Sequence, residues 1–210
     1  MNGQDPQVPG SMTPDLDQLY SPPAELIGKA ITNHLTDFHL TYLKVATFFC
    51  LATGSERGLD ASPRGGPAGF VHALDRRRIA FADWPGNNRI ESMRNIQRDD
   101  RVAMLFLFPG LEIFMRINGR SAISVEAELL ARVGEGNRIP KAAIVVTVEE
   151  AIFHCGRAAN RAQFWDQSSQ LDRKSLPSAG QMMIALGELG DVDVNELDAH
   201  YDHGMKNDLY

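Results

Sequence analysis

Between Thr47 and residue 153 the chain runs through a series of strand-like segments, and only one connection between them holds a long helix. The first, Thr47-Phe-Phe-Cys-Leu-Ala-Thr53, is a short apolar run of aromatic and β-favouring residues, as expected of a buried strand. Gly54 to Gly58 supplies a hairpin turn, and further strands are expected near 60–72, 78–83, 101–108, 113–124 and 143–153. Strands in that succession do not alternate with helices as βαβ units would. The pattern predicts a mainly β, α+β fold: an antiparallel barrel with flanking helices.

The helices fall around this series. Ser21-Pro-Pro23 can open one, because proline suits a first turn, and Leu26, Ile27, Ala30, Ile31 and Leu35 would share its apolar face. A second helical stretch covers 36–46. The helix inside the strand series runs from Arg89 to about Gln97. Asn88 is its expected N-cap, Glu91 completes a capping-box-like spacing, and Ile90, Met93 and Ile96 are expected to face the core. Further helices are expected over 125–132, with Ser124 as cap, and over 156–167, ahead of an acidic segment at 180–207. The expected organisation is a flexible arm over residues 1–20, a main domain over 21–167, and a C-terminal helical extension over 168–210. That extension would pack on the barrel or on a partner subunit.

A chain of 210 residues can bury a real core. Its net charge of −6 argues against nucleic acid as a partner, since phosphate backbones demand clustered Lys and Arg. Any anion site must therefore be local. The two cysteines, Cys50 and Cys155, lie in apolar segments and read as inert buried thiols of a reducing compartment. Residues 1–20 lack the apolar core of a signal peptide, and no apolar run approaches the ~20 residues of a membrane span. The expectation is a cytoplasmic protein without a membrane partner.

Two polar clusters carry the functional signal. In Asp83-Trp-Pro-Gly-Asn-Asn-Arg89, followed by Ser92 and Asn95, a turn leads into a helix start, where unpaired N–H groups and the helix dipole favour an anion. Arg89 can add bidentate hydrogen bonds, and Ser92 and Asn95 neutral donors. The plainer reading is a capped surface helix with its arginine in solvent. The second cluster, Ser62-Pro-Arg-Gly-Gly-Pro67, is an unusual composition for a strand unless something approaches its backbone closely. An irregular edge strand is the alternative. One strand separates the clusters, so a single phosphate-bearing ligand could touch both.

Dinucleotide, phosphate-loop and nucleophile-elbow motifs are absent. No metal site is expected: His200, His203, Asp198 and Asp202 lie in a terminal segment, and His154 and Cys155 read as a packed strand end. Arg161 and Trp165 could offer a charge and a stacking face to a partner subunit.

Taken in order, Phe48-Phe-Cys-Leu-Ala-Thr53, Ser62-Pro-Arg-Gly-Gly-Pro67, Pro85-Gly-Asn-Asn-Arg89, Ser92, Asn95 and Asn118-Gly-Arg120 resemble the pyridoxamine 5′-phosphate oxidase-like superfamily. The narrower likeness is to a bacterial branch with the Ser-Pro-Arg-Gly-Gly-Pro and Gly-Asn-Asn-Arg signatures. The resemblance covers residues 22 to 167. It implies a homodimer of six-stranded split barrels with flavin mononucleotide (FMN) in grooves between the subunits. Carried over by position, Ser62, Pro63, Arg64 and Gly65 would line the flavin. Asn88, Arg89, Ser92 and Asn95 would hold its phosphate, and Arg161 and Trp165 would cover it from the partner chain. Gly65 and Gly66 would leave room for a flat substrate.

The oxidases themselves carry an Arg-x-x-Leu-Leu-Lys strand where this chain has Ser-Pro-Arg-Gly-Gly-Pro. They end in an Arg-Leu-x-Pro-like tail where it reads Gly-Met-Lys-Asn-Asp-Leu-Tyr210. The expected activity is therefore a flavin-dependent oxidoreductase with a substrate other than pyridoxamine phosphate. The alternatives are a flavin carrier or sensor without turnover, and a haem or deazaflavin protein on the same fold. For haem, His154 would be the residue to watch.

Overall fold

The computed structural model describes residues 14–22, 24–84, 89–190 and 192–207, without the side chains of residues 26 and 27. The chain divides into two units, the first ending at Ile31 and the second starting at Thr32. In the first, α1 (Leu16–Leu19) is capped by Asp15, whose carboxylate accepts the Asp17 N–H at 3.1 Å, and α2 (Glu25–Lys29) follows. The longer helical face read from Leu26 to Leu35 is not formed, because the backbone after Lys29 is engaged elsewhere. In the second unit, Thr32 exchanges hydrogen bonds with Ala151 at 3.0 and 2.7 Å, and Leu35 N–H donates to Arg76 O at 2.7 Å.

The second unit continues with α3 (Asp37–Val45), β1 (Phe48–Ser55), β2 (Gly58–Gly65), β3 (His72–Ala73), β4 (Arg78–Asp83), α4 (Glu91–Arg98), β5 (Arg101–Leu107) and β6 (Ile113–Ser124). Then come α5 (Ala127–Arg132), β7 (Ala142–Cys155), α6 (Arg157–Arg161), α7 (Ala179–Gly187) and α8 (Val194–Asn207). The strands form one antiparallel sheet of order β2-β1-β5-β6-β7-β4-β3. This is the expected α+β, mainly β, split-barrel architecture. The ladder holds seven strands where six were expected, and the extra one is the two-residue β3. The strand expected over 60–72 stops at Gly65: Gly66 N–H turns to Thr47 O at 3.1 Å, and Gly69 (φ +84°) takes a left-handed backbone beyond Pro67.

Burial alternates along the central strands, as it must when one face of a sheet is packed and the other is not. Phe49, Leu51, Met104, Phe106, Met115, Ile117, Ile144 and Val146 are fully buried on the inner face. The sheet is curled, because Phe49 of β1 lies 5.0 Å from Phe81 of β4 (ring centroids) with three strands between them in the hydrogen-bonded order. Phe49 also meets Phe106 at 5.0 Å and Phe70 at 5.6 Å. The register of β6 on β7 shifts at Asn118 and Gly119, whose partners are Glu150 and Val148. Glu149 is the extra residue of this bulge. A Cβ on Gly119 would lie 2.0 Å from Thr147 O, so glycine is required there.

Other expectations need correction. The helix expected over 156–167 ends at Arg161, and Gln163 then takes a left-handed backbone (φ 50°). Ser124 does not cap α5: Glu126 is its N-cap, and Ser124 Oγ accepts only the Glu126 N–H at 3.3 Å. The acidic C-terminal segment forms two helices, joined where Asp198 Oδ1 accepts the Gly180 N–H at 2.7 Å. Cys50 is half-buried and Cys155 is exposed, so the thiols are not both interior; β7 ends at Cys155, past the covered part of the strand. Among the described residues, no helix is long and apolar enough to cross a membrane.

One buried polar group sets a pH dependence. Thr36 N–H donates to His39 Nδ1 at 3.1 Å in the capping box of α3. That leaves the proton of the neutral ring on Nε2, which is buried without a partner among the described residues. The ring stacks on Phe153 at 4.7 Å. Burial, then the charge of His34, pushes the His39 pKa below 6.5, so the folded state favours the neutral ring. The unfolded chain therefore binds more protons, and this contribution is complete above pH 6.5 and lost as pH falls below it. Urea denaturation is expected to give a lower midpoint at pH 5 than at pH 7.5. His39→Phe, which keeps the stack, is expected to lose part of that difference; an unchanged difference would assign it to other groups.

Candidate functional site

The inner row of β2 is polar near the open side of the barrel. Asp60, Ser62 and Arg64 pair with Thr53, Leu51 and Phe49 of β1, and all three are half-buried. Arg64 Nη1 donates to Asp83 Oδ1 at 3.1 Å, with the two side chains 21% and 19% exposed. This ion pair joins β2 to β4, which no ladder connects. The Nε of Arg64 is buried and has no acceptor among the described residues.

Helix α4 lies over the same region. Its N-cap is Ile90 (φ −109°), not Asn88, and no side chain caps it; Asn88 lies outside the described residues, with Pro85, Gly86 and Asn87. Because Ile90 sits at the cap, outside the helical repeat, it is exposed, whereas Ile96 is buried and Met93 packs on the core. Arg89 is exposed, with Nε 3.5 Å from Glu91 Oε1. Ser92 is buried, and its Oγ donates to Asp60 Oδ2 at 3.2 Å. Asn95 Nδ2 donates to Thr53 Oγ1 at 3.0 Å. Both side chains therefore also dock α4 on the β1–β2 hairpin. Asp60 and Thr53 were not foreseen as their partners. The available signal was their symmetric placement about the Gly54–Gly58 turn, which sets them opposite each other.

The cluster Ser62–Pro67 is half strand and half turn. Pro63 sits in the edge strand β2, where a missing N–H is tolerated. The room expected at the two glycines is taken by the chain itself. A Cβ on Gly66 would lie 2.8 Å from Phe70, and one on Gly65 would lie 3.3 Å from Thr47 O.

Among the described residues, no hydrogen bond or ion pair links Arg161 or Trp165 to this group. Trp165 Nε1 donates to Leu111 O at 3.0 Å in the β5–β6 turn and packs beside Phe164. Arg161 is exposed and lines an open hollow of about 500 Å³ with Arg157. His154 is half-buried on the outer face of β7, where burial and then the charge of Arg116 lower its pKa. Among the described residues, no group of three His, Cys, Asp or Glu side chains could hold a metal ion.

With this geometry in place, comparison with known proteins identifies the class. The pyridoxamine 5′-phosphate oxidase family profile matches residues 35–155, more than half of the chain. The chain belongs to that family. The match supports flavin binding in general. No curated protein matches it. Among solved structures, HupZ of Group A Streptococcus is 18% identical, with TM-score 0.45, covering 56% of this chain and 92% of its own. General stress protein 26 of Bacillus anthracis is 12% identical, with TM-score 0.42, covering 54% and 88%. An FMN-binding protein of Syntrophomonas wolfei is 13% identical, with TM-score 0.43, covering 61% and 86%.

The Arg64–Asp83 bridge is open to test. Asp83→Ala would leave a half-buried guanidinium without its carboxylate and is expected to lower stability by about 1–3 kcal/mol, read from denaturant midpoints. Arg64→Met with Asp83→Leu is expected to lose less, since neither charge is then stranded. Additive losses would show that the two groups do not act as a pair.

Proposed function

We propose that this chain is an FMN-dependent oxidoreductase in which two copies build the flavin site together. The observation that carries the reading is Arg64. Its Nη1 is fixed by Asp83, while its buried Nε–H has no acceptor among the described residues, as expected of a donor meant for a ligand oxygen. Ser62 lies on the same row of β2, and α4 begins beside that row with Arg89 and Ser92. These donors fit a phosphate, and the family match supports a flavin as its bearer.

In this reading Ser62, Pro63, Arg64 and Gly65 line the cofactor along β2. Asn88, Arg89, Ser92 and Asn95 hold its phosphate, and Arg161 and Trp165 cover it from the partner subunit. Bound flavin supplies hydride or electron exchange with a small substrate. The chain supplies position. Asp83 holds the Arg64 guanidinium in place, and Asp60 and Thr53 fix α4 through Ser92 and Asn95. Trp165 gives its indole N–H to Leu111 of its own chain, so it offers a ring face and not a donor.

The outer face of the sheet supports the dimer. Pro63, Cys50 and Leu105 form one cross-strand row and Ala61, Ala52 and Ala103 the next, with Leu105 40% exposed. The rows end at Arg116 and Asn118, which share Glu150 at 2.6 and 3.1 Å. Arg116 Nε and Asn118 Oδ1 are nonetheless buried without partners among the described residues. A small-residue apolar face ending in unsatisfied polar atoms suits a second copy packed against it.

Titration with FMN, followed by flavin fluorescence, tests the site. The wild-type protein is expected to bind, and Arg64→Ala and Arg89→Ala are each expected to weaken binding by roughly 1.5–3 kcal/mol. Absence of FMN binding, or unchanged affinity in both variants, would refute the grip. Leu105→Asp is expected to give a monomer by sedimentation, with FMN affinity reduced as well. A dimer that survives this substitution would move the interface elsewhere.

A further inference from the structure

We infer that the groove between the tip of the β1–β2 hairpin and the C-terminal half of α4 binds a phosphate-bearing anion through arginines that take no part in the flavin grip. The groove has a volume of about 330 Å³, within the range of small-ligand pockets. Arg57 enters it from the hairpin tip, and Arg94 and Arg98 from successive turns of α4. Elsewhere, arginines such as Arg64, Arg101, Arg116 and Arg120 each hold a carboxylate. The guanidinium groups of Arg57, Arg94 and Arg98 have no partner among the described residues.

The nearby carboxylates do not neutralise the three. Asp60 accepts the Ser92 hydroxyl at 3.2 Å, and Glu91 lies 3.5 Å from Arg89. Asp99, at the C-cap of α4, is committed to Arg101 at 2.5 Å, and hydrogen bonds from Arg101 hold its pKa at about 2. A local excess of cationic donors in a chain of net charge −6 is not a general property of its surface. The helix dipole accounts for Arg98, since a cation is favoured in a last turn. It does not account for Arg57, which comes from a different element to the same place. Guanidinium groups match phosphate oxygens with two parallel hydrogen bonds, and three of them from two directions can surround one anion.

The rim adds a second character. Leu59 borders the groove and is 92% exposed, the most solvated of the large apolar side chains among the described residues. It gives an apolar contact for whatever bears the phosphate. Asp60 and Asn95 also line the groove and border the proposed grip, but none of the four side chains Arg57, Leu59, Arg94 and Arg98 belongs to that grip, so the anion site does not depend on the flavin reading.

Isothermal titration of the full chain with inorganic pyrophosphate and with adenosine diphosphate tests the site. Saturable binding is expected, weakening with added salt. Arg57→Gln and Arg94→Gln are each expected to weaken it roughly tenfold while FMN affinity stays unchanged. Tighter binding of adenosine diphosphate than of pyrophosphate would assign the site to a nucleotide; equal binding would assign it to the anion alone. No saturable binding of either probe, or binding indifferent to both substitutions, would overturn the inference. A parallel fall in FMN affinity would also overturn it, by making the groove part of the flavin site. Anion binding without any FMN binding would instead sink the flavin reading and leave this site standing.

Discussion

Phe49 touches Phe81 inside a sheet whose hydrogen-bonded order puts three strands between them. Everything at the candidate site depends on the curl that this contact requires. A flat sheet would hold β2 and β4 at opposite sides, and Arg64 could not reach Asp83. The driving force is the burial of large inner-face side chains, and sheet twist supplies the sense of the curl. The gap left between β2 and β4 is bridged by charge where backbone bonds do not reach. Helix α4 then seats on the hairpin beside that gap, through one hydroxyl and one amide.

Much of this frame was legible in the chain. The spans read for β4 and β6 match those of the structure: β6 alternates in burial, and β4 is a short apolar run whose ends are marked by Arg78 and Asp83. Less legible was anything decided by distant backbone partners. Leu35 has the spacing to extend a helix from Leu26, yet its N–H belongs to Arg76 O. Gly66 reads as open space, yet its missing side chain makes room for Phe70. The capping-box spacing of Asn88 and Glu91 did not survive either, since α4 starts after Ile90. A local pattern permits a cap, but the docking of Ser92 and Asn95 on the hairpin fixes where the helical turns lie.

The two polar clusters were read as halves of one grip because of their proximity in sequence. The structure gives that proximity a cause: the inner row of β2 and the first turns of α4 share Asp60 and border the same gap. Their donors have structural work as well. Ser92 and Asn95 hold the helix, and Arg64 spans the barrel. In the proposed grip, binding and stability would therefore be coupled at these positions, and a substitution would disturb both unless the partner is changed with it. The arginines of the neighbouring groove lack such duties, which is why they separate cleanly from the core.

The bulge at Glu149 has a reach far beyond its single residue. Before it, Ile144, Val146 and Val148 face inward; after it, Ala151 and Phe153 do. One added residue has changed the reading frame of the strand, so odd positions take the place of even ones. A regular ladder that kept Glu149 in register would carry the even frame onward and turn Glu150 and His154 into the core, with Phe153 thrown outward. The bulge is thus what lets both halves of the strand turn their apolar side chains to one core, and Arg120, which holds the Glu149 carboxylate at 3.0 Å, marks the place where the count shifts.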